Sequence, residues 1–474
     1  MKLTAHRPSL PGLRLGAIAC GLGLLLLAGT CVGSGPQESG YVLKGTIVTP
    51  NAVIENGSVF IAGERIQAVG AGVKAPPEAK VIETSGVILP GFVDLHNHLT
   101  WNLFPRWKPT QQFNNRYDWQ QLPIYGVLLA TPHAELFKEN LGCDMNRFAE
   151  VKAITEGETS VVGSLGPPQE CIEGLARNLD FYSGLYQPAV LGGEKLRYEV
   201  FPLELDAAVA AQINAALDKK ELTAFIVHLA EGKSTDASAA REFRMFTARG
   251  FLRPGVSIIH GVALKQRDFH EMSGKVGLIW SPRSNLELYG STTDIAAALQ
   301  EHLTVALSPD WSPTGSDGML KELTFAAAWS HAQAPPVVGS AELVRMATEY
   351  PARLAGLGDR IGRLEAGYSA DVLVLRRVEK DAYEAILHAT PADVELVMVG
   401  GEPVYGDAAV MKKVLPAGQL ETIPICGATK AISFGSEARL QHSAPKPWKD
   451  TVNALSAALE KQGTSLAPLA ECAP

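Results

Sequence analysis

The chain has 474 residues and a formal net charge of -8. Its length is sufficient for one large barrel with an additional domain, or for two to three domains of ordinary size. The acidic balance, together with the lack of a run of lysines and arginines interleaved with aromatic residues, excludes a surface suited to binding phosphates. Nucleic acid is therefore not an expected partner.

The N-terminus has the layout of a secretory signal, with positive charges before an apolar stretch over residues 15–28 and small residues after it. We exclude residues 1–31 from the fold and expect export to the periplasm. The apolar stretch ends in LLAGTC, which resembles a bacterial lipobox with Cys31 as the lipidated residue, although Thr30 stands where Gly, Ala or Ser is usual. Attachment to a membrane through Cys31 is therefore expected. A single anchoring helix is the alternative, for which the stretch is short and interrupted by glycine.

The cysteine count is consistent with an oxidising compartment. Of the six cysteines, one lies in the leader and a second, Cys31, would carry the lipid. The remaining four allow two disulfides in three connectivities, and the pairings nearest in sequence are Cys143 with Cys171 and Cys426 with Cys472. Free buried thiols are the alternative.

Two separated parts of the chain have the texture of antiparallel sheets, with short β-branched runs broken by turn residues. The runs before the centre of the chain are residues 41–48, 57–62, 65–69 and 80–83, and those after it are 362–375 and 395–405. We expect them to pair and to form one small β-sandwich domain from residues 41–90 and 355–410.

Apolar strand-like runs alternate with helical segments over residues 91–354. The predicted strands are residues 91–95, 159–162, 223–227, 256–259, 276–280 and 304–307, with amphipathic helices at 207–220 and 238–249. Repeated strand-helix units predict an α/β fold with a closed eight-stranded parallel sheet, a (β/α)₈ TIM barrel. The third and fourth strands cannot be placed firmly, although residues 197–204 are the candidate for the fourth. Residues 411–474 form a C-terminal extension with one predicted helix, 448–462.

Polar residues with metal-binding side chains directly follow four of the predicted strands. They are His96, His98, His228, His260 and Asp310. The carboxyl ends of barrel strands meet on one face, where reactive groups of such folds lie. The two histidines at i and i+2 point to the same side of an extended segment. We therefore predict one divalent ion held by His96, His98, His228 and Asp310, with Zn²⁺ or Fe²⁺ as the metal and a position left for water.

Several motifs resemble those of the amidohydrolase superfamily. The segment PGFVDLHNH at residues 90–98 resembles its first-strand signature, and GRLEAGYSAD at 362–371 resembles a signature in its second sheet. HLAE at 228–231 and SPRSN at 281–285 resemble the branch that contains cytosine deaminase, S-adenosylhomocysteine deaminase and the triazine chlorohydrolases. This resemblance implies hydrolysis of a non-peptide C–N bond in a small-molecule substrate, either by deamination or by opening of a cyclic amide.

The resemblance also implies roles for individual residues. Glu231 would accept a proton from the metal-activated water and pass it to the leaving nitrogen, and His260 would orient the water or stabilise developing charge. Asp310 would serve as both ligand and catalytic residue. Trp311 departs from the small residues usual after that aspartate, and it would narrow the pocket.

Three residues are predicted to bind substrate: Trp101, Asn285 and Trp311. Trp101 belongs to an aromatic-rich segment, residues 100–143, that follows the first strand. A long loop at this face is either a lid over an apolar or planar substrate or a segment whose rings pack onto the barrel rim.

Two other functions remain as alternatives. A binuclear amidohydrolase of peptidase or imidazolonepropionase type needs a carboxylated lysine at the end of the fourth strand, where none is evident because Lys195 precedes the predicted strand. A non-catalytic exported metal- or ligand-binding lipoprotein would need neither a proton carrier at Glu231 nor an open coordination position.

Overall fold

The computed structural model describes residues 40–74, 76–163, 175–180, 196–434 and 446–472. The predicted signal segment, including Cys31, lies outside these residues, and so does Cys171. Within the described ranges, no helix is both long enough and apolar enough to cross a membrane.

Seventeen strands occur along the described residues, from Tyr41 to Ile432. In chain order, the strands are β1 (Tyr41–Val48), β2 (Val53–Ala62), β3 (Arg65–Gly70), β4 (Lys80–Pro90), β5 (Phe92–Asp94), β6 (Glu158–Val161), β7 (Arg177–Asn178), β8 (Leu196–Glu199), β9 (Ala224–Leu229), β10 (Val256–His260), β11 (Val276–Trp280), β12 (Val305–Leu307), β13 (Val372–Leu375), β14 (Val394–Val399), β15 (Glu402–Asp407), β16 (Glu421–Ile425) and β17 (Ala428–Ile432).

Helices fill most of the connections between these strands. They are α1 (Arg116–Gln120), α2 (Pro123–Tyr125), α3 (Thr131–Lys138), α4 (Gly142–Thr155), α5 (Ala207–Asp218), α6 (Ala237–Ala248), α7 (Gln266–Met272), α8 (Pro282–Tyr289), α9 (Ile295–Gln300), α10 (Met319–His331), α11 (Ser340–Ala347), α12 (Glu349–Leu354), α13 (Ala382–Leu387), α14 (Ala408–Val414) and α15 (Trp448–Lys461). A π-helical turn at Gly126–Ala130 joins α2 to α3.

The central part of the chain forms a (β/α)₈ barrel. Strands β5 to β7 form a three-stranded parallel sheet and β8 to β12 a five-stranded one, eight strands in all, and within each sheet every strand pairs with the next in chain order. A parallel bridge between Asn97 and Asp310 brings the ends of β5 and β12 together. Both faces of these strands are covered, which explains their nearly continuous apolar sequences. The six strands predicted from sequence are all present.

The second domain, a β-sandwich, uses both flanks of the barrel. Its nine-stranded sheet has the order β16-β17-β15-β14-β13-β4-β1-β2-β3. The junction is β4, which runs parallel to β1 and antiparallel to β13. The sheet extends past the predicted limit at residue 410, because β16 and β17 from the predicted C-terminal extension join its edge through β15.

The C-terminal tail packs along the barrel. The predicted helix is present as α15, and its Trp448 ring stacks on Phe148 of α4 with centroids 5.8 Å apart. Beyond it, a disulfide joins Cys472 to Cys426 in the turn between β16 and β17. This is one of the two pairings nearest in sequence; the other includes Cys171, outside the described residues.

A buried ion pair joins the barrel to the sheet. The Arg177 guanidinium, on β7, donates to both carboxylate oxygens of Asp371 at 2.6 and 2.9 Å. Asp371 also accepts from the Gly400 N–H at 2.8 Å and from Ser369 Oγ at 3.1 Å. The last residue of the GRLEAGYSAD motif therefore has a structural role, since it neutralises a buried cation between two domains.

Changing Asp371→Asn should lower the free energy of unfolding by about 3–5 kcal/mol, because it leaves Arg177 buried without a counter-charge. Urea denaturation followed by circular dichroism measures the change. Asp218→Asn is the control: its carboxylate contacts Arg253 at 2.7 Å but is 71% exposed, so the loss should stay below about 1 kcal/mol. Equal losses in the two variants would contradict the role assigned to Asp371.

Candidate active site

The predicted metal-binding residues converge at the carboxyl ends of the barrel strands. His96 and His98 follow β5, His228 is the penultimate residue of β9, and Asp310 follows β12. Nε2 of His96 is 3.1 Å from Asp310 Oδ1, and Nε2 of His98 is 3.4 Å from the same oxygen. The structure thus brings together residues from opposite ends of the barrel sequence.

The four histidine rings and the carboxylate form one cluster. The His96 ring centroid lies 4.7 Å from that of His228 and 4.6 Å from that of His260. Potential ligand atoms lie within 4.8 Å of one another in two sets, His96 with His228 and His260, and His96 with His98 and Asp310. Because His96 belongs to both sets, they describe a single site.

Burial and neighbouring charges shift the pKa values of three residues in this cluster. It lowers the pKa of His96 to about 3 and holds the pKa of His228 well below its usual value, so both rings are neutral near pH 7. Burial disfavours the charged form of Asp310, but its interactions with His96 and His98 outweigh that effect and hold its pKa well below the usual value. Neutral imidazoles and an ionised carboxylate are the forms that bind a divalent metal.

Unpartnered nitrogens at the same place fit a metal. His96 Nε2 and His228 Nδ1 are buried and have no hydrogen-bond partner in the described part of the chain. The 3.1 Å contact of His96 Nε2 with Asp310 is short, but it lacks hydrogen-bond alignment. Buried polar atoms without partners are costly, and coordination of a cation would satisfy them.

Contacts behind the cluster orient two of the rings. Nδ1 of His96 lies 2.7 Å from Ser281 Oγ, and Nδ1 of His260 lies 2.8 Å from Asn285 Oδ1. The amide oxygen only accepts, so His260 Nδ1 carries the proton and its Nε2 faces the cluster. The prediction that Asn285 binds substrate needs correction: Asn285 does not line the cavity, because its buried side chain is held against His260.

The backbone turns sharply where these side chains leave the strands. His260 and Asp310 have left-handed φ angles of 66° and 69°, and Ala230 has a φ of 53°. Such conformations are unfavourable for residues with a Cβ and persist where surrounding contacts enforce them, often at active sites. Here the Asp310 N–H donates to the His96 carbonyl at 3.1 Å, which holds the turn closed.

Glu231 lies beside the cluster as predicted. Its Oε2 is 3.6 Å from His260 Nε2, and the side chain is 95% buried, with 5% exposed. Two contacts were not predicted from the sequence: the Tyr289 hydroxyl donates to Glu231 Oε1 at 2.6 Å, and Arg116 lies 4.0 Å from Oε2. The sequence held one signal for Tyr289, since it follows Asn285 by four residues and therefore shares a helix face with it.

A cavity of about 260 Å³ opens onto the cluster. Its described lining residues are His98, Trp101, Trp119, Gln120, Tyr125, Val200, Phe201, His228, Glu231, His260, Asp310 and Trp311. Trp101 and Trp311 lie in its wall, with ring centroids 5.9 Å apart, and their contact with substrate stays a prediction. The Trp311 ring also lies 5.9 Å from that of His98, so the indole is beside the histidine cluster.

The aromatic loop after the first strand contributes rings both to the cavity wall and to the hydrophobic core. Trp101, Trp119 and Tyr125 face the cavity, whereas Phe104 and Trp107 are buried in the core. The same loop therefore anchors itself on the barrel rim and supplies one wall of the cavity.

No lysine lines the cavity among the described residues. The strand β8 ends at Glu199, and Val200 and Phe201 contribute to the wall beyond it. Lys195 lies outside the described residues.

Replacing a ligand should release the metal without unfolding the barrel. His96→Ala or Asp310→Ala removes a donor from a site whose other donors come from separate strands, so bound metal and nearly all activity should be lost. Elemental analysis, with circular dichroism for the fold, measures this. His270→Ala is the control, since that ring is 77% exposed and contacts Glu301. Full metal content in either site variant would refute the assignment.

Three kinds of comparison relate this chain to known proteins. An amidohydrolase family model matches residues 203–404. A 5-methylthioadenosine/S-adenosylhomocysteine deaminase from Desulforudis audaxviator (strain MP104C) is 26% identical over 417 residues, which cover 79% of this chain and 94% of the relative.

Solved structures share the fold. An adenosine deaminase from Xanthomonas campestris with bound zinc has a TM-score of 0.62 at 19% identity, covering 78% of this chain and 93% of that one. Atrazine chlorohydrolase from Arthrobacter aurescens TC1, complexed with zinc, has a TM-score of 0.60 at 18% identity, covering 77% and 95%. The family model, the relatives and the strand-end motifs agree, and the chain is similar to proteins of the amidohydrolase family.

Proposed function

We propose that this protein is a zinc-dependent hydrolase that cleaves a non-peptide C–N bond in a planar small molecule, with one ion per chain. One observation carries the proposal. The buried carboxylate of Glu231 lies beside a cluster of four histidines and Asp310, and this cluster lines an aromatic cavity. The deaminases among the relatives support the bond type, and the zinc in the solved structures supports the metal. Fe²⁺ would suit the same ligands.

The chemistry follows from the positions of the side chains. His96, His98, His228 and Asp310 would hold the ion, which supplies polarisation and a water activated near neutral pH. Glu231, whose Oε2 faces His260 Nε2, would accept a proton from the water and pass it to the leaving nitrogen. With its proton on Nδ1, His260 presents the lone pair of Nε2, 3.6 Å from Glu231 Oε2, to the cluster and would orient the water by accepting a hydrogen bond from it.

The cavity walls suggest the shape of the substrate. The Trp311 ring centroid lies 5.9 Å from that of Trp101 and 5.8 Å from that of Trp119, and all three indoles line the cavity. A flat ring is the group that packs best among such surfaces. Ammonia release, followed separately from ring opening, should be screened with heterocyclic amines, hydantoin-like rings and N-acyl compounds.

The two alternatives have less support. A binuclear enzyme would require a bridging carboxylated lysine, whereas the described cavity wall contains none. A non-catalytic binding protein would leave unexplained why Glu231 is buried beside the cluster instead of within it. Metal stoichiometry distinguishes the binuclear alternative from the proposed enzyme, since two ions per chain would favour the alternative.

Glu231→Gln should separate catalysis from metal binding, because it keeps the shape of the side chain but removes the base. Metal content should stay normal, and turnover should fall on the order of 10²- to 10⁴-fold. Elemental analysis and steady-state kinetics measure the two quantities. The control is Glu221→Gln, whose side chain is 63% exposed. Turnover near the parental rate in Glu231→Gln would mean that His260 or Asp310 carries the proton instead.

We also infer that the chain is exported and attached to a membrane through a lipid on Cys31. The N-terminal charge and apolar pattern and the lipobox-like LLAGTC support export. The Cys426–Cys472 disulfide adds support, because structural disulfides form chiefly in oxidising compartments.

Changing Cys31→Ser should release the protein from the membrane fraction while leaving it in the periplasm, because the export signal remains but the lipid site is lost. Cell fractionation with immunoblotting measures the distribution, and Cys20→Ser, which alters a cysteine inside the apolar stretch, is the matched control. A Cys31→Ser protein that stays in the membrane would indicate an uncleaved helix.

A further inference from the structure

We propose that Tyr289 is a positioning residue for Glu231, and that its hydrogen bond from Trp119 links the orientation of Glu231 to the wall of the substrate cavity. The inference rests on the proposed role of Glu231 as the proton carrier. It adds two residues that act on that carboxylate: Tyr289, which is buried beside it, and Trp119, which lies in the cavity wall.

The donors and acceptors of the three side chains determine the direction of the hydrogen bonds between Trp119, Tyr289 and Glu231. Trp119 Nε1, which can only donate, lies 3.0 Å from the Tyr289 hydroxyl oxygen. The single hydroxyl proton of Tyr289 is therefore directed to Glu231 Oε1, at 2.6 Å. Burial and the charge of Glu231 raise the pKa of Tyr289 well above its usual value, so the phenol remains a donor.

This arrangement assigns different tasks to the two oxygens of Glu231. Oε1 is occupied by Tyr289, and Oε2 lies 3.6 Å from His260 Nε2 at the edge of the cavity. Without the phenol, the Glu231 side chain would have no direct hydrogen bond of this length to any of the described residues, and its rotamer would be less restricted. Holding a catalytic group in its productive geometry contributes to the chemical step more than to substrate affinity.

The helix that carries Trp119 also holds the backbone of Glu231. Within α1, the Arg116 N–H donates to the Glu231 carbonyl at 3.2 Å. The Arg116 guanidinium is buried, lies 3.7 Å from Glu242 Oε1, and donates to the Val200 carbonyl at 2.8 Å. A single helical turn of the loop after the first strand therefore contacts Glu231 through its main chain and, via Tyr289, through its side chain.

Trp119 is the member of this hydrogen-bonded series that would contact substrate. It lines the cavity, and its ring centroid lies 5.2 Å from that of Tyr125 and 5.8 Å from that of Trp311. A planar ring packed against Trp119 would restrict the indole and, through its N–H, the phenol of Tyr289. Filling the cavity would thus favour the catalytic orientation of Glu231.

The kinetic test uses the full-length, metal-loaded enzyme with 5′-methylthioadenosine as the first amine probe, or with the compound that releases most ammonia in the screen described above. Tyr289→Phe keeps the ring and removes the hydroxyl. We expect kcat to fall about 10- to 100-fold, with little change in KM and normal metal content. Trp119→Phe should lower kcat less and raise KM, because it alters the cavity wall as well as the relay.

The double variant distinguishes a relay from independent packing effects. Since the indole N–H acts on Glu231 only through Tyr289, the kcat loss caused by Trp119→Phe should disappear in the Tyr289→Phe background, while its effect on KM persists. Trp101→Phe is the matched control, because Trp101 lines the same cavity but has no hydrogen bond to Tyr289 among those described. Its effect on kcat should multiply with that of Tyr289→Phe within about twofold.

A second measurement does not depend on the substrate. The indole ¹⁵N–¹H resonance of Trp119, assigned by its loss in Trp119→Phe, should shift in Tyr289→Phe and also in Glu231→Gln, because the hydrogen bonds are connected. The corresponding resonance of Trp101 should stay in place. These spectra also show whether each variant is folded.

The outcomes separate this inference from the proposed function. Parental turnover in Glu231→Gln would refute the proton-carrier role, whereas a large loss there with parental kcat in Tyr289→Phe would refute only the positioning role. Two results would refute the relay: independent effects on kcat in the double variant, or a Trp119 resonance whose chemical shift does not change in Glu231→Gln.

Discussion

Closure of the barrel between its first and last strands is the constraint on which the site depends. The bridge between Asn97 and Asp310, and the hydrogen bond from the Asp310 N–H to the His96 carbonyl at 3.1 Å, join segments that are far apart in sequence. This closure places the carboxylate within 3.4 Å of Nε2 of both His96 and His98. The left-handed backbone at Asp310 is the local cost of that geometry, and the packed strands around it maintain it.

The rim of the barrel is stabilised by segments from outside it. The tail reaches the first loop, where the Ala467 N–H donates to the Leu103 carbonyl at 2.8 Å. Glu471 lies 3.7 Å from Arg106 in that loop and 3.2 Å from Arg283 at the start of α8. The adjacent Cys472 is cross-linked to the β16–β17 turn. The tail therefore connects the sheet with two loops that surround the cavity.

The buried carboxylates of Asp310 and Glu231 have different surroundings in the site. Neutral His96 and His228 leave Asp310 as the carboxylate directly among the rings. Glu231 faces a buried cation, Arg116, which it shares with Glu242, so the cost of burying these charges is partly offset by pairing.

The sequence by itself determined the barrel, the paired flanks and the cluster, because strand periodicity and the polar residues directly after each strand are local properties. It could not place β16 and β17 in the sheet, show that Asn285 supports His260, or show that Tyr289 and Arg116 contact Glu231. The rings of residues 100–143 likewise divide between core and cavity only in the folded chain. These features depend on contacts between distant segments and on the direction of each side chain, which are decided only when the barrel closes and its loops pack onto the rim.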